Sequence, residues 1–150
     1  MISRKGLALI KEFEGFAPLE YTCVAGKRTI GYGHRLNASE VYPGGVGEAF
    51  AEELLVKDVK GAERVVDEAV IVPLSVSQRD ALVSFAFNVG SGNFLRSLLL
   101  RLLNEGGYGE VPEQMMRWIY VDGSICTGLM RRRKAEAEMF AGRKRKGEGK

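Results

Sequence analysis

A chain of 150 residues holds one domain with a sizeable core, or two lobes sharing a long element, and a second independent domain is not expected. The formal charge of +3 is local, because from Arg131 onward nine Lys/Arg face only three Glu, which leaves that end at +6 and the rest at −3. Such an end steers toward any polyanion, whether nucleic acid, membrane surface or cell wall, so its sign excludes little and selects no partner.

In chain order, Ser3 can cap a first helix in which Leu7, Ile10 and Phe13 share a face, and Gly15 supplies the stop. Glu14 then sits in the last turn, where the negative end of the helix dipole disfavours its ionised form. From Tyr21 to Arg35 the pattern changes. Gly26, Gly31 and Gly33 punctuate Tyr21, Thr22, Val24, Thr29, Ile30 and Tyr32, which predicts a small antiparallel sheet. Residues 37–47 read as a polar, Gly-rich connection. Beyond them Phe50, Leu54, Val59, Ala62, Val66 and Ala69 keep a helical stride long enough to join two lobes.

Pro73 breaks that helix, and Ser75-Val76-Ser77-Gln78 fits a capping box for the next. The stretch from Ala81 to Val89 is apolar nearly all round, as at the centre of a helical lobe. A further apolar helix is expected over residues 94–103, and two more over residues 111–120 and 129–141. The last residues, 143–150, read as a basic flexible tail after a domain spanning residues 1–142.

Arg4 and Lys5 precede only a short apolar run before Lys11 and Glu12 interrupt it, so no secretory signal is predicted, and residues 98–103 are too short to span a bilayer. The expected location is the cytosol. Cys23 and Cys126, far apart in sequence, suit reduced thiols better than a disulfide framework. One histidine and two distant cysteines make no metal-ligand cluster, and no glycine-rich phosphate loop follows a strand. Neither metal nor cofactor is expected.

Glu14, Cys23 and Thr29 carry the chemistry. They stand nine and six residues apart. A carboxylic acid, a thiol and a hydroxyl brought together by one short helix and one hairpin can protonate a leaving group and act on its opposite face, so the constellation reads as an active site. Cys23 is open to three roles, thiolate nucleophile, weak base or water-positioning group, and to a plain alternative as a small buried residue. Thr29 by residue type alone is a β-branched strand residue. Trp118, the sole tryptophan, reads as core rather than as a sugar platform. Arg131, Arg132 and Arg133 are adjacent on a helix and project about 100° apart, so they cannot all face one site.

The run Leu9-Ile10-Lys11-Glu12-Phe13-Glu14-Gly15-Phe16, then Tyr21, Cys23 and Thr29-Ile30-Gly31-Tyr32-Gly33-His34, resembles the amino-terminal signature of bacteriophage-type lysozymes, the endolysins of glycoside hydrolase family 24. Ala81 to Gly90, Arg117-Trp118, Gly128-Leu129, Arg132-Arg133 and Glu136 resemble the carboxy-terminal part in the same order. The resemblance implies an α+β lysozyme-like fold: a small amino-terminal lobe with a short antiparallel sheet, a long connecting helix, a larger helical carboxy-terminal lobe, and a substrate groove between the lobes. It implies hydrolysis of the β-1,4 bonds between N-acetylmuramic acid and N-acetylglucosamine in peptidoglycan, without cofactor, with Glu14, Cys23 and Thr29 in the catalytic positions. The family carries Asp or Cys at the place of Cys23. It further implies that His34 pairs with Asp58, that one of the three arginines orients Glu14 while the others are solvated or paired with acids such as Glu136, and that a monomeric enzyme reaches the wall through a separate pore-forming protein. Two rival classes remain, a catalytically inactive wall-binding or regulatory module and, on the basic end alone, a nucleic-acid binder.

Overall fold

The computed structural model describes residues 1–143. The predicted tail lies, apart from Arg143, outside the described residues. Two compact units are present, one of residues 10–60 and one of residues 1–9 with residues 61 onward.

The smaller unit holds the predicted sheet. Strands β1 (Ala17–Thr22), β2 (Arg28–Gly31) and β3 (His34–Arg35) lie in the antiparallel order β1-β2-β3. Tyr21 pairs with Thr29, and Thr29 in turn with Arg35, so Thr29 occupies the central strand. Ile30, the next residue of the same strand, is fully buried. Helix α1 (Arg4–Glu14) ends at Gly15, whose φ of 73° suits a residue without a Cβ. The long helix α2 (Glu48–Ala69) begins two residues earlier than its apolar stride. It buries Ala51, Leu55, Val59 and Val66.

In the other unit, α3 (Val76–Val89) starts at the predicted capping box. Gln78 N donates to Ser75 Oγ at 3.1 Å and Ser75 N to Gln78 Oε1 at 2.8 Å. Its residues from Asp80 to Ala86 are buried on every side. The buried Asp80 accepts from Ser3 N at 3.1 Å and from the Ser3 hydroxyl. Gly6 makes that approach possible, since a Cβ there would meet the Asp80 Cγ at 2.6 Å.

The structure corrects two expectations in this unit. The helix expected over residues 94–103 is two helices, α4 (Ser91–Leu95) and α5 (Leu98–Asn104), because Ser97 turns extended and its hydroxyl caps Leu100 N at 3.1 Å. The helix expected over residues 111–120 stops after α6 (Val111–Met115), and a hairpin of β4 (Tyr120–Val121) and β5 (Ser124–Ile125) follows. Asp122 and Gly123 take φ of 49° and 81°, the pair of positive angles that an Asp-Gly turn supplies. Trp118 is half-buried, with its ring edge-on to the buried Phe85 at 5.9 Å.

The three adjacent arginines lie on α7 (Thr127–Phe140). Arg131 is exposed, but Arg132 and Arg133 are both buried and both reach Glu136. Arg132 Nε donates to Glu136 Oε2 at 3.2 Å, Arg133 Nη1 to Oε1 at 2.6 Å, and the Ser84 hydroxyl to Oε2 at 2.5 Å. Long side chains three and four residues before an acid on one helix converge on it although their Cβ atoms diverge. Arg133 also donates to Asn88 Oδ1 and lies 5.1 Å over the Phe85 ring. Burial pushes Glu136 up and Arg133 down from their ordinary values. Glu136→Ala leaves two guanidinium groups without this shared counter-charge. The expected loss is about 3–5 kcal/mol, read as a lower urea midpoint at unchanged slope; an unchanged midpoint would show that the cluster contributes nothing to stability.

Candidate active site

Cys23 closes the β1–β2 turn. Its N–H donates to Lys27 O at 2.9 Å, and Gly26 N donates back to Cys23 O at 2.8 Å. The sulfur is a free thiol, half-buried. The Lys27 backbone N–H holds it below the ordinary thiol value, aided by the Thr29 hydroxyl, the Ala25 amide and the charge of Arg35, against a smaller opposing effect of burial. Cys23 and Thr29 are thus brought together.

Thr29 is buried, with 3% of its surface exposed, and its hydroxyl donates to Lys27 O at 2.9 Å. A hydroxyl has one proton, so Thr29 serves either that carbonyl or the Cys23 sulfur. Charge on the sulfur would draw the proton toward Cys23.

Glu14 meets the other end of the same strand. The two-residue turn between β2 and β3 is Tyr32-Gly33, and Gly33 has φ of 78°. A Cβ on Gly33 would lie 2.9 Å from Glu14 Oε1. Only a residue without a side chain lets the carboxyl lie so close to this turn.

His34 follows directly. Its Nδ1 is 2.8 Å from Asp58 Oδ2 on α2, as the resemblance implies, and its Nε2 is 2.9 Å from Glu40 Oε2. Sequence reasoning missed Glu40. The signal was present in Asn37-Ala38-Ser39-Glu40, where the Asn37 side chain accepts from the backbone N–H of Ser39 and Glu40 and Glu40 Oε1 accepts from Asn37 N, the reciprocal arrangement of a capping box. With a carboxylate on each ring nitrogen, both nitrogens must donate, which is the charged form of the ring. Burial alone would lower His34, but Asp58 and Glu40 outweigh it and raise it above its ordinary value. The Asn37 amide and His34 lower Glu40, whereas burial raises Asp58.

Among the described residues, no group of three or more His, Cys, Asp or Glu could hold a metal ion. No described helix is long and apolar enough to cross a membrane.

A family model described as phage lysozyme matches residues 11–136 of this sequence. The chain belongs to the phage lysozyme family. It is 39% identical over 145 residues to an endolysin of Acyrthosiphon pisum secondary endosymbiont phage 1, covering 93% of this chain and 97% of that protein. It is 41% identical over 142 residues to an endolysin of Bacillus phage B103, covering 93% of this chain but only 53% of that longer protein. The muramidase domain of SpmX from Asticaccaulis excentricus superposes with a TM-score of 0.85 at 37% identity, covering 93% of this chain and 97% of that one. The fold is lysozyme-like. Membership extends across the sheet, α2 and most of α7, so the turn geometry around Glu14 and the buried arginines lie inside the shared region.

The doubly bridged His34 of this phage lysozyme family member sets a pH dependence. Its folded value lies above the unfolded one, so its contribution is fully present below about pH 6.5 and is lost as pH rises through the folded value. The deficit of His34→Asn relative to the parent should be largest just below about pH 6.5 and shrink above it. Turnover per folded molecule should change less. Melting curves across pH check this, and a deficit that grows with pH would reverse the assignment.

Proposed function

We propose that the chain is a peptidoglycan muramidase that cleaves the β-1,4 bond between N-acetylmuramic acid and N-acetylglucosamine. One observation carries this reading: strand β2 has the Cys23–Thr29 contact at its start and the Gly33 approach to Glu14 just past its end. In its protonated form Glu14 donates to the departing glycosidic oxygen as the sugar takes on oxocarbenium character. Cys23 acts on the opposite face. The environment that favours its thiolate suits it to attack the anomeric carbon, or to take a proton from a water that attacks instead. Thr29 holds the sulfur or that water by switching its single proton from the Lys27 carbonyl.

The same reading has the enzyme act as a monomer on glycan strands, with no nucleic acid and no cofactor, and reach the wall through an opening made by a separate pore-forming protein. Similarity to phage endolysins and to a muramidase domain supports peptidoglycan as the substrate.

Glu14→Gln keeps the size of the side chain but cannot give up a proton, so the folded variant should lose most of its ability to clear a suspension of chloroform-treated Gram-negative cells. Near-parental clearing would remove Glu14 from the role of acid. A second series divides the two roles of Cys23. If water attacks, Cys23→Asp stays active and Cys23→Ala fails; if the thiolate attacks, a small alkylating reagent abolishes lysis in a Cys126→Ser background. Full activity of correctly folded Cys23→Ala leaves position 23 a packing residue.

A further inference from the structure

Residues on both sides of Glu14 grip the ring of Tyr32. Lys11, three residues earlier on α1, places its ammonium 5.4 Å from the ring centroid and also pairs with Glu52 of α2. Phe16, two residues after Glu14, sets its own ring 5.4 Å from that of Tyr32 with the planes tilted by 44°. Only 8% of Tyr32 is exposed. The next residue is Gly33, whose α-carbon is the one that faces Glu14 Oε1.

The hairpin does not need this ring in order to form. Its register is set by the pairs Thr29–Arg35 and Ile30–His34, and its tight turn by Gly33 at positive φ. What the ring fixes is where the turn lies against the end of α1. We propose that Tyr32, held by Lys11 and Phe16, is a positioning residue for Glu14: it locks the Tyr32-Gly33 turn against the carboxyl and so holds the acid in line with the glycosidic oxygen. This rests on the assignment of Glu14 as the acid. Nothing in the chemistry requires Tyr32 to touch substrate.

The test compares Tyr32→Leu, Tyr32→Phe, Lys11→Met and Glu14→Gln in the full chain, with kcat and KM measured on solubilised glycan strands and folding followed by circular dichroism. Small displacements of a catalytic group are costly, so Tyr32→Leu should lose about 100-fold in kcat and Lys11→Met about tenfold. KM should stay within about twofold, since ground-state binding is untouched. Tyr32→Phe, which keeps the ring, should restore kcat. In the Glu14→Gln background, Tyr32→Leu should cause no further loss, because the two act as one unit.

A folded Tyr32→Leu with a lower melting temperature and parental kcat would make the ring a packing residue and overturn the proposal. If Tyr32→Leu does not fold, Lys11→Met decides, and parental kcat there overturns it equally. Near-parental kcat in Glu14→Gln would instead sink the acid assignment and the positioning role together. Loss in Glu14→Gln beside parental kcat in Tyr32→Leu sinks the positioning role alone.

Discussion

Glu14 is the last residue of α1. The β2–β3 turn is what meets it there. Gly33 approaches so closely that a single added carbon would fall 2.9 Å from Glu14 Oε1, and this constraint governs the neighbourhood. It requires a glycine at positive φ and a two-residue turn. The charged His34, held by Asp58 and Glu40, then ties the strand beyond that turn to α2 and to the preceding loop.

The two ends of β2 hold different groups. At one end, backbone donors and the Arg35 charge favour a thiolate on Cys23, with Thr29 offering a proton that it can turn toward sulfur or toward Lys27 O. At the other, Glu14 is packed against backbone. A strand is a stiff spacer, advancing about 3.3 Å per residue, so it is a suitable element on which to hold the proposed acid and the group proposed to act opposite it. In the other unit, the buried Arg132, Arg133 and Glu136 tie α7 to Ser84 and Asn88 of α3 through charged hydrogen bonds. That group fixes the packing of the two helices by directional bonds as well as by apolar contact.

Much of this was legible in the sequence. Period and punctuation were enough for α1, α2, the three-stranded sheet and the capping box at Ser75, because each is set by local chemistry: a glycine at a helix end, a serine three residues before a glutamine, an apolar stride. The family pattern placed His34 beside Asp58. Local signals were also present where the reading failed. Ser97 was a cap inside an apolar run, and Asp122-Gly123 between Tyr120-Val121 and Ser124-Ile125 was a hairpin turn that a helical expectation covered over. Other features had no local signal. That Arg132 and Arg133 share one buried carboxylate depends on long side chains bending toward each other beneath α3, and the grip of Lys11 and Phe16 on Tyr32 depends on how the hairpin folds back on α1.

The central claim is that Glu14 supplies a proton to the leaving oxygen, and the leaving group itself offers the most direct measurement. Rates for the parent and for Glu14→Gln can be compared on an oligosaccharide ending in N-acetylmuramic acid that carries either a sugar or a dinitrophenyl leaving group. Dinitrophenolate departs without protonation, so a missing general acid should matter little for it. The account predicts a large loss for Glu14→Gln on the sugar leaving group and a rate close to that of the parent on the dinitrophenyl one. An equal loss on both substrates would contradict it, because the role of Glu14 would then lie elsewhere than in proton donation.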